Sequence, residues 1–145
     1  MFPQLLPVFA SFESRKVRYL VIGGVAVIYY GVNRLTNDLD ILIEPTAENA
    51  RGLLAGLEEA RFGSAALTNV EELLKTDITI LKDRVRIDIF THTPGVTFSE
   101  AWDRREVFIY EGVPVNIIAR ADLLAAKRAA GREVDLEDIR RLESR

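Results

Sequence analysis

The segment "DLDILIE", Asp38–Glu44, restricts the fold more than any other stretch of the chain. Carboxylates and aliphatics alternate along it and Pro45 ends it, so it reads as a strand. Side chains of a strand point alternately to its two faces. Asp38 and Asp40 therefore share one face, while Leu39, Ile41 and Ile43 share the other. A sheet that accepts this strand buries the aliphatic face and leaves two like charges about 7 Å apart on the opposite one. A divalent cation relieves that repulsion, since Mg²⁺ is typically held by one or two carboxylates together with phosphate oxygens. An isolated Asp-x-Asp is also an ordinary solvated strand end, so the pattern needs company.

Company comes from both sides. Upstream, "VRYLVIG" (Val17–Gly23) reads as a short buried strand, ended by Gly23-Gly24 and followed by an apolar helix, "VAVIYYG", closed by Gly31. A strand, a Gly-Gly turn and a helix offer free backbone N–H groups to an anion, and glycine lets a phosphate approach without a Cβ in the way. No Gly-Lys-Ser/Thr follows, and the Gly-x-Gly-x-x-Gly fingerprint is absent, which excludes the two commonest phosphate loops. Downstream, Asp88 in "VRIDIF" lies mid-run, opposite in facing to Ile87 and Ile89. A charge in that position is costly unless its face is wet or holds a cation. If the two strands are neighbours, three carboxylates converge. Asp77 is the rival third carboxylate, and His92 borders the site if the Asp88 strand continues that far.

The remaining pattern predicts an α+β fold: a small mixed sheet flanked by helices, with a helical C-terminal tail. Phe2, Leu5, Leu6, Phe9 and Phe12 form an apolar stripe at helical spacing, giving an N-terminal amphipathic helix over residues 1–14 rather than a targeting segment. Thr46 or Pro45 starts a helix that carries Leu53, Leu54 and Leu57 and stops near Gly63, and a short helical piece follows at Val70–Leu74. "TDITILKDRVRIDIFTH" reads as a hairpin around Lys82-Asp83-Arg84, and "EVFIYEGVPVNII" as a second turning near Glu111-Gly112. Helices fill residues 119–145, with a break at Gly131, Asp135 as N-cap and Asp138 completing a capping box.

The chain of 145 residues reads as one domain spanning 1–145. A net charge of −3 gives no global field for nucleic acid, leaving Arg84, Arg86, Arg104 and Arg105 as a candidate local patch. Without cysteine there is no disulfide framework and no thiolate metal site, which fits a cytoplasmic protein. No apolar run is long enough for a membrane span.

In combination, Ile22-Gly23-Gly24, a helix, Asp38-Leu39-Asp40-Ile41 and a later Arg86-Ile87-Asp88-Ile89 resemble the nucleotidyltransferase superfamily related to DNA polymerase beta. "NRLTNDLDI" and "LLAAKRAAGREVDLEDI" look most like the small AbiEii-like nucleotidyltransferases, often found in toxin–antitoxin pairs. The resemblance covers about Tyr19 to Leu142. It implies that Gly23 and Gly24 cradle a nucleoside triphosphate such as ATP and that Asp38 and Asp40 hold metal. Asp88 would complete the metal site and draw the proton from the acceptor. The cofactor so implied is Mg²⁺, two ions, with Mn²⁺ as a substitute. Arg34 and Thr36, on the loop entering the Asp38 strand, and Lys127 in the tail would add nucleotide contacts. Plainer readings make Lys127 a helix-surface charge and Tyr29 and Tyr30 core residues. Trp102 is read as the anchor of a helix or loop. The second glycine replaces a serine seen in many members and so removes one phosphate-binding hydroxyl.

The expected activity is Mg²⁺-dependent transfer of an NMP from an NTP to a hydroxyl of a tRNA end, a partner protein or a small molecule, with release of pyrophosphate. The alternative is a non-catalytic nucleotide- or partner-binding module, half of a pair with a cognate toxin or antitoxin.

Overall fold

The computed structural model describes residues 2–145, so Met1 of the expected first helix lies outside the described residues. Its strands are β1 (Tyr19–Ile22), β2 (Asp38–Ile43), β3 (Ile78–Lys82), β4 (Arg86–Phe90), β5 (Glu106–Tyr110) and β6 (Val113–Ile117). The helices are α1 (Phe2–Ser14), α2 (Gly23–Tyr29), α3 (Ala47–Glu59), α4 (Val70–Lys75), α5 (Phe98–Arg104), α6 (Arg120–Ala130) and α7 (Glu133–Glu143). The strands form one mixed sheet in the order β3-β4-β2-β1-β6-β5. Both hairpins and the β1–β2 pair are antiparallel, whereas β2–β4 and β1–β6 run parallel.

The alternation in β2 and β4 decides how the sheet sits. Leu39, Ile41, Ile43, Ile87 and Ile89 are all fully buried. Covering a side chain of this kind contributes about 1.5–3 kcal/mol, enough to fix which face turns inward. Helix α1 gives Leu5, Phe9 and Phe12 to the same core, along with Val8, which the expected stripe omitted, while Leu6 is only half-buried. Helix α3 starts where Thr46 caps it, the hydroxyl accepting from the Asn49 N–H at 3.2 Å.

Three expected boundaries move. Helix α3 ends at Glu59, because Arg61 takes a left-handed φ of 59°; Gly63 instead opens a short 3-10 helix and donates its N–H to Asp83 at 2.7 Å. The first buried strand spans Tyr19–Ile22 and omits Val17. In the tail, Arg132 is the residue before α7 and Asp135 lies in its first turn, accepting from the Arg132 N–H at 3.2 Å. The cap is thus three residues earlier than expected, and Asp138 is a mid-helix residue. The second hairpin turns at Glu111-Gly112 as the sequence predicts. Both residues have positive φ, 50° and 79°, as a two-residue turn matched to the sheet's twist requires.

Candidate active site

Strand register brings the three aspartates together. Strands β2 and β4 are parallel neighbours in which Asp40 pairs with Asp88 and Asp38 with Arg86. Directly paired residues share a face, so all three carboxylates emerge on one side, with one oxygen from each lying within 4.8 Å of the others. Asp88 is buried, only 6% exposed. Burial first, then the charges of Asp38 and Asp88, push the Asp40 carboxyl up to about 7, with Lys127 and Arg86 pulling the other way. Its Oδ1 is buried and accepts no hydrogen bond among the described residues. A buried acceptor left without a partner costs about 1–3 kcal/mol, and a cation among the three carboxylates would remove that cost. The donors are oxygens only, which suits a hard ion such as Mg²⁺ or Mn²⁺. The residues present therefore fit a divalent cation.

The Gly-Gly turn closes the site from the β1 side. Gly23 follows directly on Ile22, which pairs with Asp40, and adopts φ 66°. A Cβ at Gly23 would lie 2.2 Å from Asp40 Oδ2. At Gly24 it would lie 2.8 Å from Thr36 Oγ1 and 3.3 Å from an Arg34 guanidinium nitrogen. Both glycines are thus needed for close approach, the first for its backbone conformation as well. Thr36 Oγ1 in turn lies 3.3 Å from Asp38 Oδ1, joining the loop to the acidic group.

Behind this loop lies a charged network from the tail. Arg34 donates to Asp138 Oδ2 at 2.6 Å, and Lys127 Nζ reaches Asp138 at 2.9 Å and Asp135 at 3.3 Å. Arg132 also bonds Asp135, at 2.8 Å. Lys127, Asp135 and Asp138 are all buried. Burial opposes ionisation of Asp135, yet the hydrogen bonds from Arg132 and the nearby Lys127 hold its carboxyl below the usual range. Lys127 is therefore not a helix-surface charge. It is paired with α7 and acts on the site as a nearby positive charge.

The other candidates fall elsewhere. Asp77 is exposed, and its carbonyl accepts from the Thr91 N–H, beyond the end of β4 from the triad. His92 is exposed and outside the strand. Tyr29 and Tyr30 are half-buried rather than core, both donating to Glu106, at 3.0 and 3.1 Å. Trp102 lies in α5, stacked on Phe98 and covered by the Arg105 guanidinium at 3.7 Å, an anchor as expected. No free arginine patch forms: Arg84 bonds the Ala60 and Arg61 carbonyls, Arg104 bonds Asp122, and Arg105 bonds the Trp102 carbonyl. Arg86, the fourth, forks onto Asp88, with Nε to Oδ1 at 2.7 Å and a terminal nitrogen to Oδ2 at 2.9 Å. Two signals in the sequence foretell features that the reading left out. Arg86 is two residues from Asp88 on one strand face, and Asp135 and Asp138 are three apart on one helix face.

A mixed sheet with a Gly-Gly turn against paired strand aspartates defines the fold of a nucleotidyltransferase. The chain belongs to the family described as nucleotidyl transferase of unknown function (DUF2204), whose model matches residues 1–145. No curated protein matches it in sequence. Among solved structures it is similar to the lincosamide antibiotic adenylyltransferase LnuA in its lincomycin-bound form: TM-score 0.60, 18% identity, 99% of this chain and 97% of that one. A Thermotoga maritima protein assigned as a nucleotidyltransferase, TM1012, gives TM-score 0.59 and 15% identity over 99% and 93% of the two chains. An antigenic nucleotidyltransferase-like protein from Paracoccidioides brasiliensis gives 0.54 and 14% over 96% and 74%. At these identities the likeness is one of fold; the family match makes the chain a nucleotidyltransferase. The AbiEii-like subtype has no support among these relatives.

Proposed function

We propose that the chain transfers an NMP from an NTP to a hydroxyl acceptor with release of pyrophosphate, using Mg²⁺ held by Asp38, Asp40 and Asp88. The observation that carries this reading is the convergence of three carboxylates around the buried, unpartnered Asp40 Oδ1. In the reaction a bond forms between the acceptor oxygen and the α-phosphorus, and the bond from that phosphorus to the β-phosphate's bridging oxygen breaks. When bound, the cation neutralises phosphate charge and makes the acceptor hydroxyl more acidic. Asp88 takes the acceptor proton. Gly23 and Gly24 admit the triphosphate to their backbone N–H groups, which as the first of α2 have no partner within the helix. Arg34 and Thr36 line the loop beside that turn. Lys127 contributes positive potential from behind the Arg34–Asp138 pair. Positioning and charge neutralisation supply most of the rate enhancement in such a transfer.

Residues 1–145 act as one domain, in the cytoplasm. LnuA, an adenylyltransferase solved with lincomycin, makes ATP and a small-molecule acceptor the first pair to assay. A tRNA end and a partner protein, including a cognate toxin or antitoxin, are the other acceptor classes. The test incubates the protein with α-labelled NTPs and a cell extract, then separates RNA, protein and small molecules. Metal-dependent label in one fraction, absent with Asp88→Asn, supports the reading. Label in none of the three, with every NTP, contradicts it.

A further inference from the structure

We propose that Arg86 is a resident counter-ion that a divalent cation must displace from Asp88 as the site loads; this rests on the metal reading above. Both oxygens of Asp88 accept from the guanidinium, at 2.7 and 2.9 Å, and the same Nε lies 3.8 Å from Asp38 Oδ2. The fork therefore lies across two of the three carboxylates that converge. Among the described residues, no other cation is within salt-bridge distance of the triad. A Mg²⁺-sized ion sits about 2.1 Å from its oxygen ligands. Placed on the Asp88 oxygens, it would stand only a few ångströms from the guanidinium, and two positive groups at that range repel strongly.

The geometry also gives Arg86 a way out. Its side chain is 41% exposed, against 8% for Asp88, so the carboxylate is fixed in the sheet and the arginine faces solvent. In the metal-free protein the fork satisfies a buried carboxylate that would otherwise stand unpaired among like charges. Asp40 has no such partner and keeps an open oxygen. Arg86 thus holds the third carboxylate in place and competes with metal for it. A cation held by Asp38, Asp40 and Asp88 would have to take the Asp88 oxygens from the arginine. Arg86 is a positioning residue by this account, acting through Asp88.

The test measures free Mn²⁺ by electron paramagnetic resonance across a titration, without nucleotide, for the wild type and three variants. Arg86→Gln removes the competitor, so Mn²⁺ binding tightens by about 3- to 30-fold, between the worth of an exposed ion pair and that of a charged hydrogen bond. Lys82→Gln is the control: Lys82 pairs with Arg86 across β3–β4, is exposed and has no bond to the triad. Its loss changes the binding by less than about twofold, as expected for a screened surface charge. Arg86→Lys keeps the charge without the fork and falls between the wild type and Arg86→Gln. It carries the test if near-UV circular dichroism shows Arg86→Gln misfolded. Unchanged or weaker binding in the Arg86 variants overturns the inference, as does equal tightening in Lys82→Gln. Those results leave the metal site standing. Absence of Mn²⁺ binding in wild type and variants alike removes the metal reading itself, and this inference with it.

Discussion

Replacing Asp40 with asparagine should make the metal-free protein more stable while destroying its response to metal. Burial and the neighbouring Asp38 and Asp88 raise the Asp40 carboxyl from 3.8 to about 7. The folded chain then holds this proton at pH values where the unfolded chain has released it. Stability is fullest at low pH and falls as pH rises through the window from 3.8 to about 7. At 1.36 kcal/mol per pH unit the full cost is roughly 4 kcal/mol, an upper bound that residual solvent access reduces to about 1–4 kcal/mol. Asparagine cannot ionise, and its amide can donate to the two remaining carboxylates. In EDTA at pH 8, Asp40→Asn should melt roughly 3–12 °C above wild type, at about 3 °C per kcal/mol for a chain of this size. Near pH 4 the two should melt together. Adding Mg²⁺ at pH 8 should raise the wild type and leave the variant unmoved. A variant that melts below the wild type at pH 8 in EDTA would refute the reasoning, since Asp40 would then be a satisfied carboxylate rather than a strained one.

Other substitutions probe separate links. Gly23→Ala meets both a left-handed backbone and a 2.2 Å collision with Asp40 Oδ2, so it should cost about 1–3 kcal/mol in chemical denaturation and abolish metal-dependent nucleotide binding. Lys127→Met leaves Asp135 and Asp138 without their shared buried partner, and about 3–5 kcal/mol of stability should be lost in a urea titration. An unchanged midpoint would mean that Arg34 and Arg132 alone suffice. Glu111→Asn gives the second hairpin turn its preferred Asn-Gly pair and should raise the melting temperature by a degree or more without affecting the site.

Much of the site was legible in the sequence because strand alternation is a strict rule. Asp38 and Asp40 had to share a face, and Asp88 had to face away from Ile87 and Ile89. Which strand lay beside β2 was not legible, and neither was the register that pairs Asp40 with Asp88 and leaves Asp77 beyond the end of β4. Register is set by long-range packing, which no local spacing records. The hairpins and helices emerged from turn residues and apolar spacing. The end of α3 did not, since Gly63 offered a stop signal four residues beyond the true end at Glu59, where backbone conformation at Arg61 turned the chain. The tail was hardest to read. Asp135, Asp138 and Lys127 have the composition of a solvated helix surface, and only the packing of α6 on α7 shows that they are buried together.

In the function proposed above, the Gly-Gly turn and the three aspartates form one metal-dependent nucleotide site. A melting titration with Mg²⁺ and a non-hydrolysable NTP, on wild type and Asp38→Ala, tests it most directly. Metal and nucleotide together should stabilise the wild type well beyond either alone, and the variant should lose the combined shift. Nucleotide stabilisation independent of metal, or retained in full by Asp38→Ala, would contradict it.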